Sequence, residues 1–215
     1  MGGVQLLVTM VEEELLPHLR LESVNPHDPI VVRYIPPPWS EVGVGNYTAV
    51  VAHPDQPGWV VKVYAPGRPG LEDEVEVYRR LGIHPAYSRC LHAGEGYLIL
   101  ERLRGVTMYD CFRRGIRIPE QVIHDVDEAL AYARSRGLNP RDVHAKNVMV
   151  RDGRGMVADV SDFLEPGHCS RWEDLKRVYY RFYRPLLYRY PVPIPSSLLN
   201  LIRRGYRLLK RPRES

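Results

Sequence analysis

Cysteine is scarce in this 215-residue chain. The three present, Cys90, Cys111 and Cys169, are odd in number, far apart and in no zinc-ligand spacing. They exclude a disulfide-stapled scaffold and favour a reducing compartment. No apolar run approaches the roughly 18–20 residues that crossing a bilayer requires. The first residues, Met1-Gly2-Gly3-Val4-Gln5-Leu6-Leu7-Val8, lack a basic segment and soon meet Glu12-Glu13-Glu14, so they do not read as a secretory signal. Leu6 stands where a myristoylation signal has Ser or Thr. A cytoplasmic location is the expectation. The sequence also lacks repeats and low-complexity tracts, which sets solenoids and disordered arrays aside.

The composition that remains, 44% hydrophobic and 26% charged, suffices for a buried core, as one domain of two lobes or as two small domains. Prolines are concentrated at 36–38 and 191–195 between apolar, periodic segments, so they mark stiff connections rather than disorder. The net charge of +4 conceals an asymmetry. From Arg171 onward twelve Lys/Arg face three Asp/Glu, a net of +9, which leaves −5 on the rest. Such a basic third suits a polyanion (nucleic acid, acidic lipid or an acidic protein) or is simply a solvated helical surface.

Periodicity changes near residue 104. Leu6–Leu19 has the apolar spacing of a short helix closed near Pro17, while Ile30–Ile35 reads as a strand stopped by Pro36-Pro37-Pro38. Tyr47–Ala52 and Trp59–Tyr64 are β-rich runs around the turn Pro54–Gly58, and Tyr97–Leu100 is another strand. Leu71–Leu81, Pro119–Arg136, Trp172–Tyr188 and Ser197–Lys210 carry helical spacing, with a small strand pair at 148–150 and 156–160. In the last helix Leu198, Leu199, Ile202, Tyr206 and Leu209 oppose Arg203, Arg204, Arg207 and Lys210. Its apolar stripe suits packing on the second lobe, and its basic face suits a polyanion. The pattern predicts an α+β fold of two lobes, strand-rich first and helix-rich second. Residues 1–34 read as an N-terminal extension that either packs on the first lobe or covers the cleft, 35–103 as the first lobe and 104–215 as the second.

Chemistry concentrates in Asp142-Val143-His144-Ala145-Lys146-Asn147, just before the apolar triplet Val148-Met149-Val150. An acid that orients a hydroxyl and an amide that holds a metal, in a loop leading into a strand, are what phosphoryl transfer needs. Upstream, Gly43 and Gly45 sit at a strand turn, where the lack of a Cβ lets backbone N–H groups approach phosphate oxygens, although a plain hairpin explains them too. Lys62 lies among valines in a strand, either facing solvent or meeting a phosphate and a carboxylate. Glu74 follows twelve residues later on a helix. Glu76 competes for the same partner, but the stripe Val75, Tyr78, Leu81 leaves Glu74 nearer the buried edge.

The order of glycine turn, strand lysine, helix glutamate, apolar strand ending at Glu101 and acid–amide loop resembles the protein-kinase-like superfamily, over roughly residues 40–188. The compact size is similar to the minimal atypical members, such as RIO-type and small bacterial or archaeal Ser/Thr kinases. The resemblance implies a bilobal kinase fold with a shortened C-lobe that uses ATP and magnesium. Gly43 and Gly45 would cover the phosphates, and Lys62, oriented by Glu74, would hold the α/β-phosphates. The backbone from Glu101 to Leu103 would meet adenine, and Asp142 would orient the acceptor hydroxyl. Asn147 and a later aspartate would ligate magnesium through hard oxygens. That aspartate is Asp159, at the end of Met156-Val157-Ala158, or alternatively Asp162, whose neighbour Phe163 matches the Asp-Phe-Gly pattern. His144 either touches the transferred group or is a satisfied loop histidine.

Pro140 departs from the family's histidine, and the stretch from Leu164 to Arg171 is too short for a long activation segment. The short segment removes the groove that ordinarily binds a peptide and so leaves the acceptor open, while the resemblance implies an ATP-dependent phosphotransferase acting on Ser/Thr of a protein or of itself. A small-molecule alcohol kinase of the aminoglycoside or choline kinase type, and a nucleotide-binding pseudokinase module, are the alternatives.

Overall fold

Strict alternation in Trp59–Tyr64 gives this strand two different faces, and the two halves of the molecule form around them. A computed structural model of the protein describes residues 2–25 and 28–209. Within them lies a five-stranded antiparallel sheet in the order β3 (Ser40–Val44), β4 (Thr48–Ala52), β5 (Trp59–Tyr64), β7 (Tyr97–Glu101), β6 (Cys90–Gly94). Val61 and Val63 on β5, with Val51 on β4 and Tyr97 and Ile99 on β7, point to one face, as the period of two requires. Val60, Lys62 and Tyr64 point to the other, opposite Leu100 and Leu98.

The outer face is covered by the N-terminal segment. Helix α1 (Gly2–Met10) widens to i→i+5 hydrogen bonding through Val11–Leu15. Its Leu7, Val8, Val11 and Leu15, with Leu19, bury against Val51, Val61, Val63, Tyr97 and Ile99. A hairpin of β1 (Arg20–Glu22) and β2 (Val31–Tyr34) continues the cover, with Ile30 packed on Ala49 and Ala65. Of the two placements expected for this extension, packing on the first lobe is the one found, on the face away from Lys62. An open cavity of about 630 Å³ lies in the seam between the extension and the sheet, lined by Glu12, Leu16, Arg20, Val63 and Tyr97 among others. It is separate from the cleft described below.

The inner face receives helix α2 (Leu71–Leu81), through Val77, Tyr78 and Leu81. It also faces a second lobe that starts after Gly105. There β8 (Val106–Thr107) pairs with β9 (Val148–Arg151), and β9 with β10 (Arg154–Val157). Thr107 caps α3 (Met108–Arg114), accepting the Asp110 N–H at 3.0 Å. Helix α4 (Glu120–Ser135) lies beneath the small sheet, and α5 (Arg171–Val178) follows. Beyond α5 the helix widens through Tyr179–Leu187, where Pro185 has no N–H to continue the ordinary ladder. Helix α6 (Ser196–Leu209) ends the described chain. The basic face read at Arg203, Arg204, Arg207 and Lys210 falls on side chains outside the described residues.

The second lobe hangs on one close approach. A Cβ at Gly155 would come within 2.6 Å of the Val122 carbonyl oxygen, so β10 lies directly on the backbone of α4. Asp125 on that helix receives a two-pronged contact from Arg154, both bonds at 2.8 Å, and the Gly155 N–H at 2.8 Å. Gly155→Ala is therefore expected to lower stability by about 1–3 kcal/mol, read as a lower melting temperature. An unchanged melt would mean that the two backbones separate freely.

Candidate active site

Lys62 is 7% exposed, and a lone ammonium at that depth would be expelled or discharged. It stays charged because two carboxylates reach it, Glu74 at 2.8 Å and Asp159 at 3.3 Å. Burial alone would lower its pKa, but Asp159 and Glu74 outweigh burial and raise it above the ordinary lysine value. Glu74 is fully buried in the first turn of α2. Burial raises its pKa against the pull of Lys62. The Tyr64 hydroxyl donates a short hydrogen bond to its second oxygen. Glu76, the competing candidate, turns outward and pairs with Arg79 and Arg80 instead.

The two candidate metal acids separate in place and in charge. Asp159 stands just beyond β10 with its side chain 41% exposed. Burial works to raise its pKa, but Lys62 and the Ser161 N–H at 3.2 Å hold it below the usual carboxylate range. Asp162 accepts from Ser161 Oγ at 3.5 Å, and burial together with the charge of Asp159 pushes it up. Phe163, the residue that spoke for Asp162, is fully buried and meets Tyr87 edge-on at 6.2 Å. Its aromatic match serves packing.

A continuous line of contacts runs from Lys62 to the loop. The Ala158 N–H, beside Asp159, donates to the Asn147 carbonyl at 2.8 Å, and Asn147 Nδ2 donates to the Asp142 carbonyl at 3.1 Å. Asp142 has φ 54°, the left-handed region that Asp tolerates better than most side chains. Its N–H donates to Cys169 Sγ at 3.4 Å, and its Oδ1 is ion-paired with Arg171. His144 Nε2 lies 3.9 Å from the same Oδ1, and its Nδ1 accepts the Lys146 N–H at 3.2 Å. The loop is laced to the segment that follows Asp162. Asn139 Nδ2 donates to the Glu165 and Gly167 carbonyls at 2.6 and 2.9 Å, and Arg141 donates to the Pro166 carbonyl.

The remaining expected positions border this line. Gly43 lies on β3 and Gly45 in the turn to β4, at the end of the sheet where Thr48 pairs with Tyr64. A Cβ at Gly43 would meet nothing within 4 Å, whereas one at Gly45 would touch Thr48 Oγ1 at 3.6 Å. Glu101 lies at the other end, paired with Trp59. Its N–H donates to the Arg89 carbonyl at 2.8 Å and its carbonyl accepts Ser88 Oγ at 2.5 Å, which stiffens the connector through Leu103. Tyr64, Ser161, Cys169 and Arg171 were not singled out from the sequence. Only Tyr64 carried a readable signal, since a residue two beyond Lys62 shares its face of the strand.

No family model matches the chain. Over 130 residues it is 34% identical to YrzF of Bacillus subtilis (strain 168), whose provisional name is serine/threonine-protein kinase. That alignment takes in 60% of this chain, and the chain spans 60% of the length of that relative. Among solved structures it is similar to Rad53 1–466 in complex with AMP-PNP, with 20% identity and a TM-score of 0.47 over 56% of this chain and 36% of that one. The five-stranded sheet and α2 form the first lobe, and the elements after Gly105 form a second lobe with a short connection from Asp162 to α5.

Proposed function

We propose that the chain is an ATP-dependent phosphotransferase that moves the γ-phosphoryl group onto Ser or Thr of a protein or of the chain itself. The observation that carries this reading is the line Glu74–Lys62–Asp159, continued through Asn147 to Asp142. Lys62 has the held, charged ammonium that α/β-phosphates require, with Glu74 and Tyr64 fixing its direction. Gly43 and Gly45 would cover those phosphates, and the backbone from Glu101 to Leu103 would border the adenine. The name of the Bacillus relative agrees with this chemistry.

Magnesium fits the residues present. Among the described residues no cluster of three His, Cys, Asp or Glu forms a protein cage. One ionised carboxylate, Asp159, and the amide oxygen of Asn147 are hard ligands of the kind magnesium takes alongside substrate phosphates. When bound, the ion would neutralise charge developing on the phosphate oxygens. The protein's own work is positioning. Asp142 accepts a hydrogen bond from the acceptor hydroxyl, whose oxygen attacks the γ-phosphorus in line. The bond to the β-phosphate oxygen breaks, ADP leaves, and the hydroxyl proton passes to the Asp142 carboxylate. Arg171 occupies Oδ1 of that carboxylate, which leaves Oδ2 to accept the hydroxyl.

One observation favours a small-molecule acceptor. The segment from Leu164 to Ser170 is short and fastened to the loop by Asn139 and Arg141, which leaves little groove for a peptide. Incubation of the protein with magnesium and ATP, followed by intact-mass analysis, tests transfer to itself, and parallel assays with protein substrates and with amino-alcohols or sugars sort the acceptor. Asp142→Asn is expected to reduce transfer by about 10²–10⁴-fold with an unchanged melting temperature. Undiminished transfer by that variant sinks the assignment. Nucleotide binding without turnover in the wild type would make the chain a pseudokinase.

A further inference from the structure

The widened helix Tyr179–Leu187 presents two apolar ridges, and the core uses one. Tyr179 and Tyr183 are buried and stacked at 5.3 Å, and their hydroxyls bond to the backbone of Ile118. Val178, Phe182 and Leu186, also four residues apart, form a second ridge that is 48%, 52% and 67% exposed. Further along the chain Tyr190, Val192, Leu198 and Leu201 are also exposed, each 47% or more. A core does not need these side chains where they stand, and water disfavours them there.

Along this part of the chain the charge has a single sign. From Leu175 to Arg213 the sequence contains eleven Lys/Arg and no Asp or Glu. Three of these cations are engaged by acids within the protein, Lys176 by Asp127 and Glu173, Arg177 by Asp174 and Arg184 by Glu120. We infer that this surface binds an anionic lipid membrane. Aliphatic groups such as Val178, Leu186, Val192, Leu198 and Leu201 gain nothing from a phosphodiester backbone, whereas they are at home among acyl chains. Tyr and Phe suit the headgroup boundary, and an acid-free basic flank meets anionic headgroups. Among the described residues no helix is long and apolar enough to cross a membrane, so the attachment is peripheral.

The test is cosedimentation of the full chain with phosphatidylcholine vesicles, with and without about one-third phosphatidylglycerol. The wild type is expected to partition onto the anionic vesicles and to come off in high salt. The double substitution Phe182→Ser with Leu186→Ser removes two exposed side chains, so it is expected to keep the wild-type melting temperature while partition falls at least about ten-fold. Asp142→Asn is expected to bind vesicles like the wild type, which keeps this result independent of phosphotransfer. Equal partition by the double variant, or equal binding to neutral vesicles, overturns the inference. Tight binding of single-stranded RNA that the double substitution leaves unchanged, with no vesicle binding, reassigns the surface to nucleic acid.

Discussion

Replacing Lys62 with methionine is expected to abolish phosphate transfer, by about 10³-fold or more, and to make stability depend on pH. The first effect follows from losing the one cation that faces both carboxylates in the cleft. The second follows from Glu74, which is fully buried. Without Lys62 only the Tyr64 hydroxyl remains to offset burial, so its folded pKa rises further above the unfolded value near about 4.3. A group raised in this way contributes stability below its unfolded pKa and loses it as pH rises toward the folded one. The deficit of the variant should therefore be smallest at acid pH, where Glu74 is protonated in both proteins, and grow by up to about 1.4 kcal/mol per pH unit once the wild-type Glu74 ionises. It should reach about 3–5 kcal/mol if the carboxylate is forced to ionise unpaired. Denaturant melts of both proteins across this range check it. A deficit that does not change with pH would mean that Glu74 finds another partner.

The paired variants Asp159→Asn and Asp162→Asn should differ sharply. Asp159 is held ionised by Lys62 and Ser161, beside the strand that carries Asn147, whereas Asp162 sits in a turn and is pushed toward its neutral form. Loss of the Asp159 charge is expected to reduce turnover by about 10³-fold and to raise the magnesium requirement, while Asp162→Asn stays within about ten-fold of wild type. Magnesium titrations of ATP turnover separate the two. The reverse ranking would move the metal to Asp162.

Much of this site was legible because its parts sit on regular elements. Period-two alternation put Lys62 on one face of its strand but left open whether that face met solvent or a carboxylate, whereas the 3.6-residue period put Glu74 rather than Glu76 nearer the buried edge. The choice between Asp159 and Asp162 was harder to read, because Phe163 mimics a motif while serving the core. Arg171 and Cys169 could not be read at all. They reach Asp142 from about 27–29 residues away through an irregular segment that no periodicity describes. In the fold, the strands at 40–44 and 90–94 escaped notice because their burial does not alternate cleanly. The extension read at 1–34 was visible as a helix and a strand, but its placement on the outer face depends on which valines of β5 remain uncovered, a tertiary fact.

Arg171 opens the helix whose far end begins the exposed ridge at Val178. Eight residues of helix span about 12 Å, and a rod of that length is stiff on the scale of a side-chain contact. The hold on the Asp142 carboxylate and the ridge beyond Val178 are thus two ends of one lever. A tilt of that helix would lengthen or shorten the ion pair that Arg171 makes with Asp142.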